Sequence, residues 1–364
     1  MKHLFRGNEV TEDSNGEPIA PYAKPDRDGT LAAAGRAFVL QDGKGRQDVE
    51  AMSVAVGTQS ISSDRSQPAR RRRPSFLPYL LAIPILFYEG IFVLYPIYQG
   101  IKSSFYTQAN LGTPPTWVGL KNYRRLIDDE FFWRSVKQTF LFMGGVIVVS
   151  ILFGLLSAVV LNRAFFGRSA ARGIITLPWA FPDVPAVLIF IWMLNPQFGV
   201  MNVFANWLPW VDANPKWLLD PNLALISLIL ITAWKGFPFY SLVILASLQT
   251  VPSELTEAAR VDGATRWQAF RAVTLPYITP TLMLLVVLAS IYAFKQFTII
   301  WLMTGGGPAG ATETIVIRIY QTAFRFYDFS YAATIGVAGF LIVLTISLIF
   351  LYVQRRQELE GGRV

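Results

Sequence analysis

The sequence predicts an all-α membrane protein with six transmembrane helices. Of its 364 residues, 53% are hydrophobic and only 15% are charged. Mean hydropathy is positive at +0.40, so the average residue favours lipid over water. The apolar residues gather into runs of about 20, the length that crosses a hydrocarbon core as a helix. Basic residues form short clusters beside those runs, the pattern of a topology signal.

In chain order the runs are Phe76 to Ile101, Thr139 to Leu161, Ile174 to Leu194, Leu223 to Leu248, Tyr277 to Leu302 and Tyr331 to Val353. The cluster Arg70 to Arg73 precedes the first, which places the N-terminus in the cytoplasm, and an even number of crossings returns the C-terminus there. Arg163, Arg168 and Arg172, then Arg260, Arg266 and Arg271, then Arg355 and Arg356 all fall on that side. Lys121, Arg124, Arg125, Arg134 and Lys137 run against the rule outside. Asp128, Asp129 and Glu130, read as the solvated end of an external amphipathic segment, offset them in part. Small residues at helical spacing mark close helix contacts in lipid, which singles out Ser150, Gly154 and Ala158 in the second run and Ala332 and Gly336 in the sixth. Residues 1 to 74 read as a disordered cytoplasmic tail, 75 to 355 as the transmembrane domain and 356 to 364 as a short cytoplasmic tail.

Composition also excludes functions. There is no cysteine and the single histidine is His3, which removes thiol nucleophiles, Ser-His or Cys-His catalysis and His/Cys metal sites. The formal charge of +8 lies in clusters beside apolar runs, so nucleic acid is not an expected partner. No phosphate-binding G-x-x-x-x-G-K-[ST] loop occurs, so the chain is not an ATPase.

One polar stretch interrupts the apolar runs: EAARVDG, residues 257 to 263. Pro252 and Ser253 suit a helix start, and Gly263 suits a left-handed helix stop. Thr265 and Gln268 form a capping-box pattern that opens a second helix. The expected result is a two-helix elbow at the cytoplasmic surface. Ala258 and Ala259 would let a partner approach its backbone, and Glu257 would offer one charge for pairing. From the residues alone, an amphipathic loop resting on the membrane reads equally well.

The stretch EAARVDGATRWQAFRAVTLP, residues 257 to 276, resembles the cytoplasmic loop of permease subunits of type I ABC importers, with Val273 where isoleucine is usual. VGLKNYRRLIDD from Val118, LPWAFPDVPAVLIFIWMLNPQFG from Leu177, WLLDPNLAL from Trp217, WKGFPF from Trp234 and LMTGGGP from Leu302 resemble the carbohydrate-uptake branch, in its maltose or glycerol-phosphate type first permease. The resemblance implies the type I importer transmembrane fold in a bacterial or archaeal cytoplasmic membrane. It implies that the loop at about 250 to 276 is a coupling helix seated on an ATPase, through Glu257, Ala258, Ala259, Asp262 and Gly263. It also implies a second homologous permease, two ATP-binding subunits that carry ATP and Mg, and an extracytoplasmic solute-binding protein. The chain itself would be a non-catalytic subunit without a cofactor, passing a sugar, polyol or glycerol-phosphate-type solute.

A cation at membrane depth needs protein or water, so Lys235 is expected to face inward. Pro238 is expected to kink the fourth run. Trp234, Phe237 and Tyr240 offer aromatic faces for sugar rings, and Lys295, Gln296 and Asn195 offer hydrogen bonds to hydroxyls. The alternative is that Lys235 or Lys295 pairs with Asp183, beside the break Pro182 to Pro185, as a purely structural contact. Other function classes fit less well. A secondary carrier lacks midplane carboxylates beyond Asp183 and Glu89, a membrane-embedded glycosyl enzyme lacks an inner-face acidic or metal site, and TGGGP and VGLKNY disfavour an amino-acid or peptide importer.

Overall fold

The computed structural model describes residues 76–107, 113–208 and 214–361. The expected tail, with Arg70 to Arg73, lies outside the described residues. The first span is α1 (Leu77–Glu89), continued through a π-helical turn at Gly90–Leu94 into α2 (Tyr95–Ser104). A two-stranded antiparallel ribbon, β1 (Tyr106–Thr107) with β2 (Thr116–Trp117), leads to α3 (Lys121–Ile127) and the long α4 (Glu130–Asn162). The third run is split into α5 (Arg168–Ala180) and α6 (Asp183–Met193), bent by 93°. Pro182 lies at the corner, where its ring blocks helix continuation. After the short α7 (Val200–Ala205) comes α8 (Pro221–Leu248), capped by Asp220.

The elbow consists of α9 (Ser253–Val261) and α10 (Arg266–Ala269), and α10 passes through a π-helical turn, Phe270–Thr274, into α11 (Leu275–Phe294). The fifth span thus begins at Arg266 and stops at Phe294, rather than reaching Leu302 as expected. Lys295 caps it, and Thr298–Thr304 is a separate helix, α12. The short helix α13 (Ile315–Tyr320) precedes α14 (Phe329–Gly361), the last span.

Helices α4 and α8 form the central pair. Gly154 approaches Tyr240 and Ser241 so closely that an added Cβ would lie 2.9 Å from the Tyr240 Cβ and 3.2 Å from the Ser241 backbone N. Further along, Gly145 meets Ile229. These pairings advance in the same direction on both helices, so α4 and α8 are parallel. The chain must therefore recross the bundle between Asn162 and Pro221, and α5 with α6 is the stretch that does so. This makes the bent pair a crossing, the sixth among the described residues. Ser150, Gly154 and Ala158 are all buried, as their spacing predicts.

Helix α8 runs from Pro221 to Leu248 with Pro238 buried inside it. The reading of Asp129 needs correction, because it is not a solvated end. Its Oδ1 caps α4 by accepting from the Phe131 and Phe132 backbone N–H groups, and its Oδ2 accepts from Arg318 at 3.2 Å and Tyr331 at 2.7 Å. Arg318 also donates to Glu313, and Arg125 pairs with Asp328 while lying over the Tyr331 ring. This network ties α3, α4, α13 and α14 together at the end of the bundle where α4 begins. Burial acts to raise the Asp129 pKa, yet the Tyr331 hydroxyl, the Arg318 charge and the two backbone donors together hold it below its ordinary value.

Gly154→Ala drives a methyl into backbone, so it should cost about 1–3 kcal/mol and lower the thermal unfolding midpoint in detergent, whereas Gly336→Ala, which has nothing within 4 Å, should not.

Candidate functional site: a cavity at the broken span

The corner of the third span leaves the Phe181 carbonyl without a helical partner, since Phe181 is already extended and the residue four positions on, whose N–H would reach it in a helix, is Pro185. In hydrocarbon such a group is costly unless satisfied. Lys235 satisfies it. Its ammonium donates to the Phe181 carbonyl and forms an ion pair with Asp183 Oδ1 at 2.9 Å. The expected inward-facing cation and its alternative, pairing with Asp183, are therefore the same arrangement.

Beside this pair is an open cavity of about 420 Å³ bordered by the third, fourth and fifth spans. Trp179 and Asp183 border it from the broken span, Lys235, Gly236, Phe239 and Tyr240 from α8, and Leu288 and Tyr292 from α11. Gly236 keeps the space open, because a Cβ there would touch the Tyr240 and Tyr292 rings at 3.4 and 3.8 Å. The Trp179 and Phe239 rings approach to 6.3 Å, so the cavity offers aromatic faces, two phenol hydroxyls and one charge pair. A neighbouring cavity of about 480 Å³ between α6, α7 and α8 is larger but nearly hydrocarbon. Its one hydroxyl, on Ser227, already donates to the Trp217 carbonyl, so a polar solute would find little there.

The structure divides the candidate pathway residues. Lys235 and Tyr240 line the polar cavity, and Gln296 reaches it indirectly by donating to the Tyr292 hydroxyl at 3.3 Å. Trp234 lines the apolar neighbour and stacks edge-on against Phe190. Phe237 packs toward Phe153 on α4. Lys295 is exposed at the end of α11, and Asn195 has its carbonyl committed to the Gln197 and Phe198 backbone N–H groups of a turn. A helix advances about 100° per residue, so Lys235 and Phe239, four apart, share a face that Trp234 and Phe237 cannot. That spacing was visible in the sequence. Trp179 and Tyr292 were not, because only the tertiary fold brings them to the same face.

The elbow residues stand at a second surface. Val261 ends α9 and is followed by Asp262 and by Gly263 at φ +85°. Gly263 N–H bonds the Arg260 carbonyl and Ala264 N–H bonds the Ala259 carbonyl, the paired closure of a Schellman stop. Thr265 and Gln268 form the predicted capping box. Glu257, Ala258, Asp262 and Gly263 are exposed and Ala259 is half-buried, with Val261 and Trp267 exposed beside them.

Residues 150–359, more than half of the chain and spanning both the cavity and the elbow, match the family described as "Binding-protein-dependent transport system inner membrane component". The chain belongs to this family. This permease is 32% identical over 286 residues to the trehalose/maltose transport system permease protein MalF of Thermococcus litoralis, covering 78% of this chain and 95% of that protein. It is 32% identical over 284 residues to the sn-glycerol-3-phosphate transport system permease protein UgpA of Agrobacterium fabrum, covering 77% and 95%. Among solved structures it is similar to a chain of a bacterial alginate ABC transporter in complex with an alginate pentasaccharide-bound periplasmic protein. The TM-score is 0.66 at 26% identity, covering 77% of this chain and 94% of that one. The permease is thus a membrane component of an ABC importer with the type I fold.

Proposed function

We propose that this permease is a translocation-pathway subunit of an ATP-driven importer for sugars or closely related polyols, and that its elbow is the lever moved by a separate ATPase. The observation that carries this reading is the continuity of the second elbow helix with the fifth span. From Arg266 to Phe294 the chain is helical without a break, and the same span supplies Leu288 and Tyr292 to the cavity. A force applied to the elbow is delivered to the cavity wall by a stiff element rather than by a loop.

The remaining parts follow from that lever. Glu257 pairs with a cation of the ATPase, Ala258 and Ala259 allow close backbone approach, and Asp262 and Gly263 shape the turn. ATP and Mg belong to two ATP-binding subunits, and no step of hydrolysis falls on this chain. The first span has no buried residue between Leu80 and Ser103 within the chain, a face suited to lipid and to a second, similar permease. The outer network at Asp129, Arg318 and Tyr331 gives an external solute-binding protein a firm surface on which to release its cargo. Both termini lie in the cytoplasm, since the elbow must face the ATPase. The names of the relatives, trehalose/maltose, glycerol-3-phosphate and alginate, support carbohydrate and polyol substrates. The polar, aromatic-lined cavity suits such solutes, with sugar rings against Trp179, Phe239 and Tyr240.

Affinity purification of the tagged permease from native membranes in mild detergent should recover a second permease and an ATP-binding subunit. Glu257→Arg should lose the ATP-binding subunit and lower solute uptake by about tenfold or more, the scale of one charge-assisted contact reversed in sign. Recovery of the permease alone, or undiminished ATPase recovery with Glu257→Arg, would contradict the lever.

A further inference from the structure

We infer that the Asp183–Lys235 pair makes the cavity selective for neutral, hydroxyl-rich solutes and closed to anionic ones; this rests on the importer reading above. The two partners of the pair differ in how far they face the cavity. The Lys235 side chain is 9% exposed and that of Asp183 is 41% exposed. The ammonium is the deeper partner and gives two of its three N–H donors to the Phe181 carbonyl and to Asp183. The more exposed charged group on the cavity wall is the carboxylate, which only accepts hydrogen bonds.

A sugar hydroxyl can donate to that carboxylate while its ring lies on Trp179 or Tyr240. A phosphate, sulfonate or uronate brings a second negative charge to the same wall. None of the other residues lining the cavity carries a compensating cation. Drawing Lys235 toward an incoming anion would strip the Phe181 carbonyl of its partner in the bent span, so the corner itself resists the exchange. The pair therefore has two effects: it closes the broken helix, and it sets the sign of charge that the pathway tolerates.

Asp183→Asn isolates the second effect, because the amide oxygen still accepts from Lys235 while the negative charge is gone. Asp183→Glu keeps the charge and serves as the conservative control. The detergent-purified complex, washed free of external binding protein, is incubated with an equimolar pool of neutral di- and trisaccharides and their phosphate- and uronate-bearing counterparts. Retained solutes are then identified by mass spectrometry. The native complex should retain neutral over anionic saccharides by about tenfold or more, and Asp183→Asn should erase that preference, a change the size of one charged hydrogen bond. Asp183→Glu should preserve it. Retention of anionic solutes by the native complex, an unchanged preference in Asp183→Asn, or retention of no saccharide would each overturn the inference. The ATP-binding subunit in the same preparation reports separately on the importer reading. Its presence alongside anion retention would sink the charge selectivity alone, whereas its absence would sink the importer reading.

Discussion

A backbone carbonyl left open in hydrocarbon is the constraint around which this molecule is arranged. The third span breaks at Phe181 and Pro182, and hydrocarbon has no water with which to repair it. Lys235, reaching from the neighbouring span, supplies the missing donor, and Asp183 balances its charge. The polar cavity exists because of that repair. A straight, apolar third span would need neither Lys235 nor Asp183, and the region would close as ordinary helix packing. The break also turns α6 away from α5, which opens the apolar neighbour between α6 and α8.

The repair requires that α8 be held in register, and α4 provides this. Parallel packing through Gly154 against Tyr240 and Ser241 fixes both the height and the rotation of α8, so Lys235, Gly236 and Tyr240 point to one place. Close approach substitutes in lipid for the hydrophobic effect that would join the helices in water. Asp129 also ties the start of α4 to α13 and α14, so the scaffold is anchored at that end as well as along its length.

The spans were legible because apolar length is a strong and local signal, and the elbow was legible because Gly263 and the Thr265–Gln268 pair act on their immediate neighbours. The end of the fifth span was misread. Phe297 to Leu302 is as apolar as the helix before it, but the chain turns at Lys295, and Ile299 and Ile300 are buried in the protein core rather than continuing across the bilayer. Asp129 was read as solvated because its partners, Arg318 and Tyr331, are about two hundred positions away. In the cavity, Lys235 was found from its charge at membrane depth. Trp179 and Tyr292 carry no such anomaly and become visible only when three spans are assembled.

The central claim is mechanical: the elbow and the fifth span move as one body. The permease has no cysteine, so pairs of introduced cysteines can carry spin labels without background from the chain itself. Distances between labels at Arg266 and Leu284, within the lever, and between Val261 and Leu156, from elbow to scaffold, would be measured in the assembled transporter with and without ATP. The account predicts an unchanged first distance and a shifted second one. A shift within the lever, placing the flexure at the π-helical turn Phe270–Thr274, would contradict it.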